Sequence, residues 1–151
     1  MLKYMLDGNA IDYLVDHKVN IEAARTVGTL YITTVQQSEL RNVPNLIRRK
    51  DLKKTLDGLA PKLIPVMTPV LFDEMRMDDR AIMQDNPSEF ESDIYGSSEK
   101  LSAWKDATIG GVTREYGCIL VTFDVRFSRS ASRVGVETIT PERLFGRFIR
   151  N

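Results

Sequence analysis

Residues 105–127 constrain the fold more than any other stretch, because they join a helix directly to a short apolar strand. Apolar side chains recur every three to four residues along the first half, and Gly117 then supplies the stop expected just past a helix. Residues 118–123 are rich in β-branched and aromatic side chains, as in a strand buried on both faces. Asp124 follows at once. The stretch predicts a helix–strand unit of a parallel sheet, with a carboxylate at the carboxyl end of the strand.

This unit carries two acids, Asp106 in the helix and Asp124 after the strand. Each has an ordinary explanation, as a polar residue on a solvated helix face and as a turn former. The start of the chain repeats the arrangement, because residues 2–6 predict a strand that ends at Asp7, with Asn9 as the N-cap of the next helix. A turn explains either strand-end acid alone, but it leaves unexplained why the placement occurs twice.

The whole chain alternates strand-like and helix-like segments, without internal repeats or low-complexity tracts. This alternation predicts one α/β domain over residues 1–151, with a mainly parallel sheet of about five strands and helices on both faces. Predicted strands cover residues 2–6, 30–33, 63–67, 118–123 and 134–139. Predicted helices cover residues 10–15, 20–27, 35–42, 46–59, 72–83 and 101–116, and a last one begins after Thr140; residues 84–100 read as a polar, acidic loop.

Parallel sheets form sites beyond the carboxyl ends of their strands, where the strand order reverses. If the first and fourth strands are neighbours, Asp7 and Asp124 flank that crevice, and Glu39 and Asp106 reach it from helices. Four carboxylates in one crevice repel each other, and a divalent cation removes the repulsion. Hard oxygen ligands suit Mg²⁺ or Mn²⁺. The pattern therefore favours metal-assisted hydrolysis of a phosphodiester.

Composition excludes several other kinds of chemistry. His17 is the only histidine and lies in a polar segment, which argues against a histidine-dependent triad. Cys118 is the only cysteine, so an intrachain disulfide and a cysteine-based zinc site are excluded. No apolar run is long enough to span a membrane, and the acidic N-terminal segment does not resemble a signal peptide, so we expect a cytoplasmic protein.

Lysine and arginine together number 21, as do aspartate and glutamate, so a nucleic acid would have to be held by a local basic patch. Two clusters of cations could form such a patch. One lies in the amphipathic helix at residues 46–59 and is explained equally well as a solvated face or a phosphate-contacting rim. The other follows Asp124 and comprises Arg126, Arg129 and Arg133. We expect this second cluster to hold the phosphates beside the scissile one.

Several motifs make the chain resemble PIN-domain proteins, in particular the single-domain VapC-type toxins. They are YMLDGNAIDYL at the start, TTVQQSEL around Glu39, KDATIGGVTREYGCILVTFD, and Phe127. The resemblance implies a three-layer sandwich and a Mg²⁺- or Mn²⁺-dependent ribonuclease, homodimeric and inhibited by an antitoxin. It places the acidic quartet at Asp7, Glu39, Asp106 and Asp124, with the metal ligands at Asp7, Asp106 and Asp124, and it matches Asn9 and Thr122 to polar residues of the family's site. We expect Asn9 and Thr122 to contact the substrate, together with the arginines of the second cluster, Arg126, Arg129 and Arg133.

The leading hypothesis is an endoribonuclease that acts on single-stranded or looped RNA, whose exposed bases are the usual handle for recognition. The alternative is a PIN-like module that binds RNA or a protein without cutting. Gly8, where a threonine or serine is common, and Arg126, where a second acid often follows, favour this alternative. A phosphoacceptor receiver domain would need a lysine after its last strand, and residues 139–141 offer none.

Overall fold

A computed structural model describes residues 1–66 and 100–150, with the side chains described from residue 104 onward in the second range. Within these residues, five strands form a parallel sheet in the order β3-β2-β1-β4-β5. The strands are β1 (Lys3–Leu6), β2 (Thr29–Thr33), β3 (Lys62–Ile64), β4 (Ile119–Val121) and β5 (Thr138–Ile139). The prediction of a parallel α/β sheet of about five strands is confirmed.

Helices connect the strands and cover both faces of the sheet. They are α1 (Gly8–Asp16), α2 (Ile21–Ala24), α3 (Thr34–Arg41), α4 (Leu46–Leu59), α5 (Lys100–Glu115), α6 (Val125–Arg133) and α7 (Pro141–Phe145), with 3-10 turns at Arg25–Val27 and Gly146–Phe148. The predicted helix at residues 72–83 lies outside the described residues, and so does the predicted loop at residues 84–100 except for Lys100, which begins α5 instead. None of the helices in the described ranges is both long and apolar enough to cross a bilayer.

Alternation along the strands sorts their side chains into two cores, one on each face of the sheet. Tyr4 and Leu6 of β1 pack in the core that α1, α4 and α7 cover, together with Val121 of β4. Met5 and Leu120 point the other way and pack with apolar residues of α5 and α6. Successive strand residues point to opposite faces, so apolar side chains at consecutive positions require helices on both sides. The three-layer sandwich is therefore confirmed.

The strand order reverses between β1 and β4. The chain fills the sheet outward through β2 and β3, then returns to place β4 on the other side of β1 and β5 beyond it. Leu6 lies opposite Val121, and the backbone N–H of Asp7 donates to the Val121 carbonyl at 3.0 Å. The first and fourth strands are thus neighbours, as the sequence argument required, and their carboxyl ends meet at a switch point.

Two predicted helix starts are wrong by one or two residues. Asp7, not Asn9, is the N-cap of α1, and Thr33 is the N-cap of α3, which begins at Thr34 rather than at the predicted residue 35. In each case the helix begins immediately after the strand, so the last residue outside the helix takes the cap. The predicted cap at Thr140 is confirmed, since its hydroxyl accepts from the Arg143 N–H.

Three predicted strands are too long by more than one residue. The strand predicted at residues 63–67 ends at Ile64. The segment at residues 118–123 is a strand only over Ile119–Val121, and the Phe123 side chain is 42% exposed rather than buried. The predicted strand at residues 134–139 is reduced to Thr138–Ile139, because α6 occupies Val125–Arg133 and Gly135 turns the chain with φ of 86°. Gly117, with φ of 66°, ends α5 in the left-handed conformation expected of a C-terminal glycine.

Candidate functional site

The carboxylate of Asp7 is held by hydrogen bonds from both strand ends. Its Oδ1 accepts the Gly8 N–H at 2.8 Å. Its Oδ2 accepts the Thr122 hydroxyl at 2.7 Å and the Asn9 side-chain amide at 3.2 Å. Asp7 therefore caps α1 and is fixed at the same time against the segment that leaves β4.

Asn9 and Thr122 extend this network toward Asp124. The Thr122 hydroxyl accepts the Asp124 N–H at 3.0 Å, and it also accepts the Asn9 amide at 3.2 Å. The Asn9 carbonyl oxygen accepts the backbone N–H of Phe123 at 3.1 Å. Asn9 and Thr122 were predicted to contact substrate. In the structure they fix the position of Asp7 and shape the turn after β4.

Asp124 begins α6. Its Oδ1 accepts the N–H of Phe127 at 3.0 Å, which satisfies one of the free amides of the first turn. Phe127 is buried in the core beneath the sheet and anchors the helix there. The cap and the anchor together fix the direction in which the Asp124 carboxylate enters the site.

Glu39 approaches from α3 and is paired with a lysine. Lys105 Nζ lies 3.3 Å from Glu39 Oε1, and a Cβ added to Gly8 would lie 3.8 Å from Glu39 Oε2. The buried Gln36 holds α3 in place, because its Nε2 donates to the Leu6 carbonyl at 2.9 Å. Glu39 is therefore brought to the end of β1, next to Asp7.

The four acids are coupled electrostatically. Burial is the main cause that raises the pKa of Asp7, and the charges of Glu39 and Asp124 raise it further, against the hydrogen bonds from Thr122 and Gly8. Burial also raises the pKa of Asp106 from 3.8 to about 7. Repulsion from the other three acids adds to this rise, and Lys105 partly opposes it. The site therefore holds more negative charge than its surroundings compensate.

These acids do not form a finished ligand cage. Within the described ranges 1–66 and 100–150, no group of three or more acids, histidines or cysteines is arranged to hold a metal ion. The roles predicted for Asp7, Glu39, Asp106 and Asp124 as catalytic or metal-binding residues therefore stay predictions.

The predicted basic segment after Asp124 is a helix. Arg126, Arg129 and Arg133 lie on the exposed side of α6 at a helical spacing of three and four residues. On α4, by contrast, Arg48 pairs with Asp12 at 2.7 Å and with Asp16 at 2.5 Å.

The other α4 cations divide into two groups. Arg49 Nε donates to the Val43 carbonyl at 2.8 Å, and Lys53 pairs with Asp57 at 3.1 Å. Lys50 and Lys54 are exposed on α4 and form no ion pair with any described residue.

Sequence reasoning missed Gln36, Lys105 and Phe123 as parts of this region. Lys105 precedes Asp106 directly, and a cation beside a predicted site acid was a usable signal. Gln36 falls one turn before Glu39, but only the tertiary structure shows that it is buried and bonded to β1. Phe123 was assigned to a buried strand on its apolar character alone.

The fold matches solved structures, although no protein-family model matches the chain and no curated protein matches it in sequence. It resembles a PilT N-terminus domain protein from Sulfolobus solfataricus, with 16% identity, a TM-score of 0.53, and coverage of 99% of this chain and 96% of that one. It also resembles PAE2754 from Pyrobaculum aerophilum, with 17% identity and a TM-score of 0.54, and the match covers 97% of this chain and 89% of that one. FitAcB from Neisseria gonorrhoeae is similar at 18% identity and a TM-score of 0.50, and the match covers 91% of this chain and 97% of that one. The chain therefore has the fold of a PilT N-terminus (PIN) domain.

Proposed function

We propose that the chain is a Mg²⁺- or Mn²⁺-dependent endoribonuclease. One observation carries the proposal, which is the electrostatic coupling of four acids at the switch point between β1 and β4. A structural role would normally pair each acid with a cation, and among the described residues only Glu39 of the four forms an ion pair, with Lys105. Carboxylates left in mutual repulsion at a ligand-binding edge are typical of sites with perturbed pKa values and a function.

The donor set fits a small divalent cation. Asp7, Asp106 and Asp124 offer only hard oxygen atoms, which suit Mg²⁺ or Mn²⁺. Mg²⁺ is usually bound by one or two carboxylates, with waters and substrate phosphate oxygens completing its shell, so three acids already in contact are not required. When bound, such an ion supplies positive charge beside the scissile phosphate and lowers the pKa of an attacking water.

The chain's own residues orient these groups. Thr122 and Asn9 donate to Asp7 Oδ2, so they fix the carboxylate without neutralising it. Asp124 uses Oδ1 to cap α6, and this contact holds its carboxylate at the edge of the site. Lys105 places an ammonium group beside Glu39, where it attracts the anionic backbone of a nucleic acid as well as the glutamate.

We infer that RNA enters along α6. The arginines of this helix follow Asp124 directly, so phosphates next to the cleaved one would meet Arg126 and Arg129. The site needs such a local patch because the chain has zero formal net charge and offers no general attraction for an anion.

We also propose that the protein is the toxin of a toxin–antitoxin pair and forms a homodimer. The motif resemblance to VapC-type toxins and the similarity of fold to FitAcB support this assignment. Leu46 and Ile47 at the start of α4 are 64% and 75% exposed, which gives a protein partner apolar surface to cover.

A cleavage assay with purified protein and labelled single-stranded RNA tests the proposal. We expect cleavage in Mg²⁺ or Mn²⁺, none in EDTA, and none from the Asp7→Asn and Asp106→Asn variants. Asp51→Asn is the matched control, because Asp51 is an exposed acid of α4. Cleavage that persists in EDTA and in both site variants would contradict the proposal. RNA binding without cleavage in any divalent metal would instead favour the non-cleaving module.

A further inference from the structure

An aromatic groove lies beside the acidic site and shares Asn9 with it. It has a volume of about 550 Å³ and is lined by Tyr13, His17 and Phe123 among others. The Tyr13 ring lies 4.2 Å from the His17 ring and 5.7 Å from the Phe123 ring, measured between centroids. Tyr13 is buried, whereas Phe123 is 42% exposed. The groove therefore has an aromatic wall in which the side chains of Phe123 and His17 are exposed and Tyr13 lies buried between them and the core.

The backbone that carries the Phe123 ring is fixed by the candidate site itself. The backbone N–H of Phe123 donates to Asn9, and the Asn9 amide donates in turn to Asp7. Phe123 also lies between Thr122 and Asp124 in the chain. The hydroxyl of Thr122 donates to the Asp7 carboxylate and accepts the backbone N–H of Asp124. An RNA strand whose phosphate lies at the acids would therefore have a neighbouring base close to a phenylalanine whose backbone is held in place.

The charge of the groove selects a base rather than a phosphate. Asp12, Asp16 and Glu142 line it, so an anionic group would be repelled. Arg48 binds Oδ1 of Asp12 and Oδ1 of Asp16, whereas Glu142 forms no ion pair with any described residue. The groove thus offers a carboxylate acceptor next to an aromatic face.

Those two features together match one nucleobase. A carboxylate binds best to two adjacent N–H donors, as in its bidentate pairing with arginine. Among the standard bases, guanine alone presents adjacent donors on its Watson–Crick edge, from N1–H and the exocyclic amine. Adenine, cytosine and uracil each mix a donor with acceptors there, and an acceptor would face the carboxylate unfavourably. Single-stranded RNA is commonly read by stacking on an aromatic ring together with hydrogen bonds to this edge.

We propose that this groove is a nucleobase subsite in which a guanine of single-stranded RNA stacks on Phe123 and donates to Glu142. The inference rests on the proposed function, because it gives the RNA-cleaving site its base preference. The phosphates run toward α6 and the base turns toward α1 and α7.

Binding in EDTA tests the subsite without requiring cleavage. The probes are fluorescein-labelled oligouridines that carry one central guanosine, inosine or adenosine, titrated with the full chain. Inosine lacks only the exocyclic amine, so the guanosine probe should bind about tenfold or more tightly, the factor for one hydrogen bond to a charged acceptor. Equal affinity for guanosine and inosine would overturn the proposal.

Variants separate the ring from the carboxylate. Phe123→Leu should lower the affinity for the guanosine probe by roughly 5- to 150-fold, as expected when one base loses its stacking on an aromatic ring. Phe123→Tyr keeps an aromatic ring and should bind this probe as the wild type does. Glu142→Gln should abolish the preference for guanosine over inosine, while Glu137→Gln, an exposed glutamate outside the groove, should retain it. A Phe123→Leu protein that is folded by circular dichroism and binds with unchanged affinity would refute the stacking role.

The same oligomers incubated with Mg²⁺ distinguish this inference from the proposed function. A preference for guanosine without any cleavage would support the guanine subsite and contradict the proposed nuclease activity. Metal-dependent cleavage that is equal for all three probes would leave the nuclease standing and contradict the subsite.

Discussion

Replacing Asp106 with asparagine is expected to stabilise the metal-free protein at neutral pH. In the folded chain, burial and repulsion from the other three acids raise the pKa of Asp106 from 3.8 to about 7. The folded state therefore binds more protons than the unfolded state between about pH 4 and about pH 7, and stability falls as the pH rises through that window. Asparagine does not ionise, so the stability of the variant lacks the part of this decrease with pH that comes from Asp106.

The magnitude follows from the size of the pKa change. A rise from 3.8 to about 7 corresponds to ~4 kcal/mol at ~1.4 kcal/mol for each pH unit. Solvent reaches part of the carboxyl group, and the Asp106 charge is partly offset by Lys105, so we expect about 1–3 kcal/mol in practice. For a chain of this length, that gain is a rise in melting temperature of roughly 2–12 °C.

Thermal unfolding followed by circular dichroism in EDTA measures this effect. The melting temperature of Asp106→Asn should exceed that of the wild type at about pH 8, and the gap should shrink to less than half at about pH 5. Asp51→Asn removes the same charge from an exposed position of α4 and should show no such gap. The reasoning is wrong if Asp106→Asn melts no higher than the wild type at about pH 8, or if the gap is the same at both pH values.

Helix capping, metal binding and phosphate contacts give the remaining predictions. Asp124→Ala removes the cap of α6 and should lower the free energy of unfolding, measured in urea, by about 1 kcal/mol. Asp124→Asn can still cap the helix, so it should unfold like the wild type but lose RNA cleavage. Millimolar Mg²⁺ should raise the melting temperature of the wild type more than that of Asp106→Asn, and equal shifts would contradict the metal site. The double change of Arg129 and Arg133 to glutamine should flatten the dependence of log affinity for single-stranded RNA on log salt by about 1.4. The double change of the two exposed α4 lysines should flatten it less, and the opposite order would place the RNA on α4.

The neighbourhood of the strand-end acids could be predicted because it depends on topology. Apolar runs at residues 2–6 and 118–123 require strands covered on both faces, and each run is followed directly by an aspartate. The alternation of strands and helices then gives a parallel sheet, in which all carboxyl ends point to one edge. Asp7 and Asp124 meet there because β4 returns to pair with β1.

The exact helix starts could not be predicted from local propensity. Aspartate and asparagine are equally good N-caps, so DGN offers two candidates, one and three residues after the end of the strand. The structure chooses Asp7 because Asn9 has other partners, the hydroxyl of Thr122 and the backbone of Phe123. These partners lie more than a hundred residues away along the chain, with separations of 113 and 114.

The exposure of Phe123 has the same long-range origin. Its apolar character and its position two residues after Val121 predict that the buried strand continues through Phe123. The Thr122 N–H still donates to the Ile139 carbonyl at 3.1 Å, as a strand residue would. The Phe123 N–H donates instead to the side chain of Asn9, so the backbone leaves the ladder at this residue and the ring turns toward Tyr13 and solvent. One asparagine thereby ends the strand, presents the ring and orients Asp7. A change at Asn9 should therefore disturb the acids and the aromatic groove together, which no reading of either strand alone would predict.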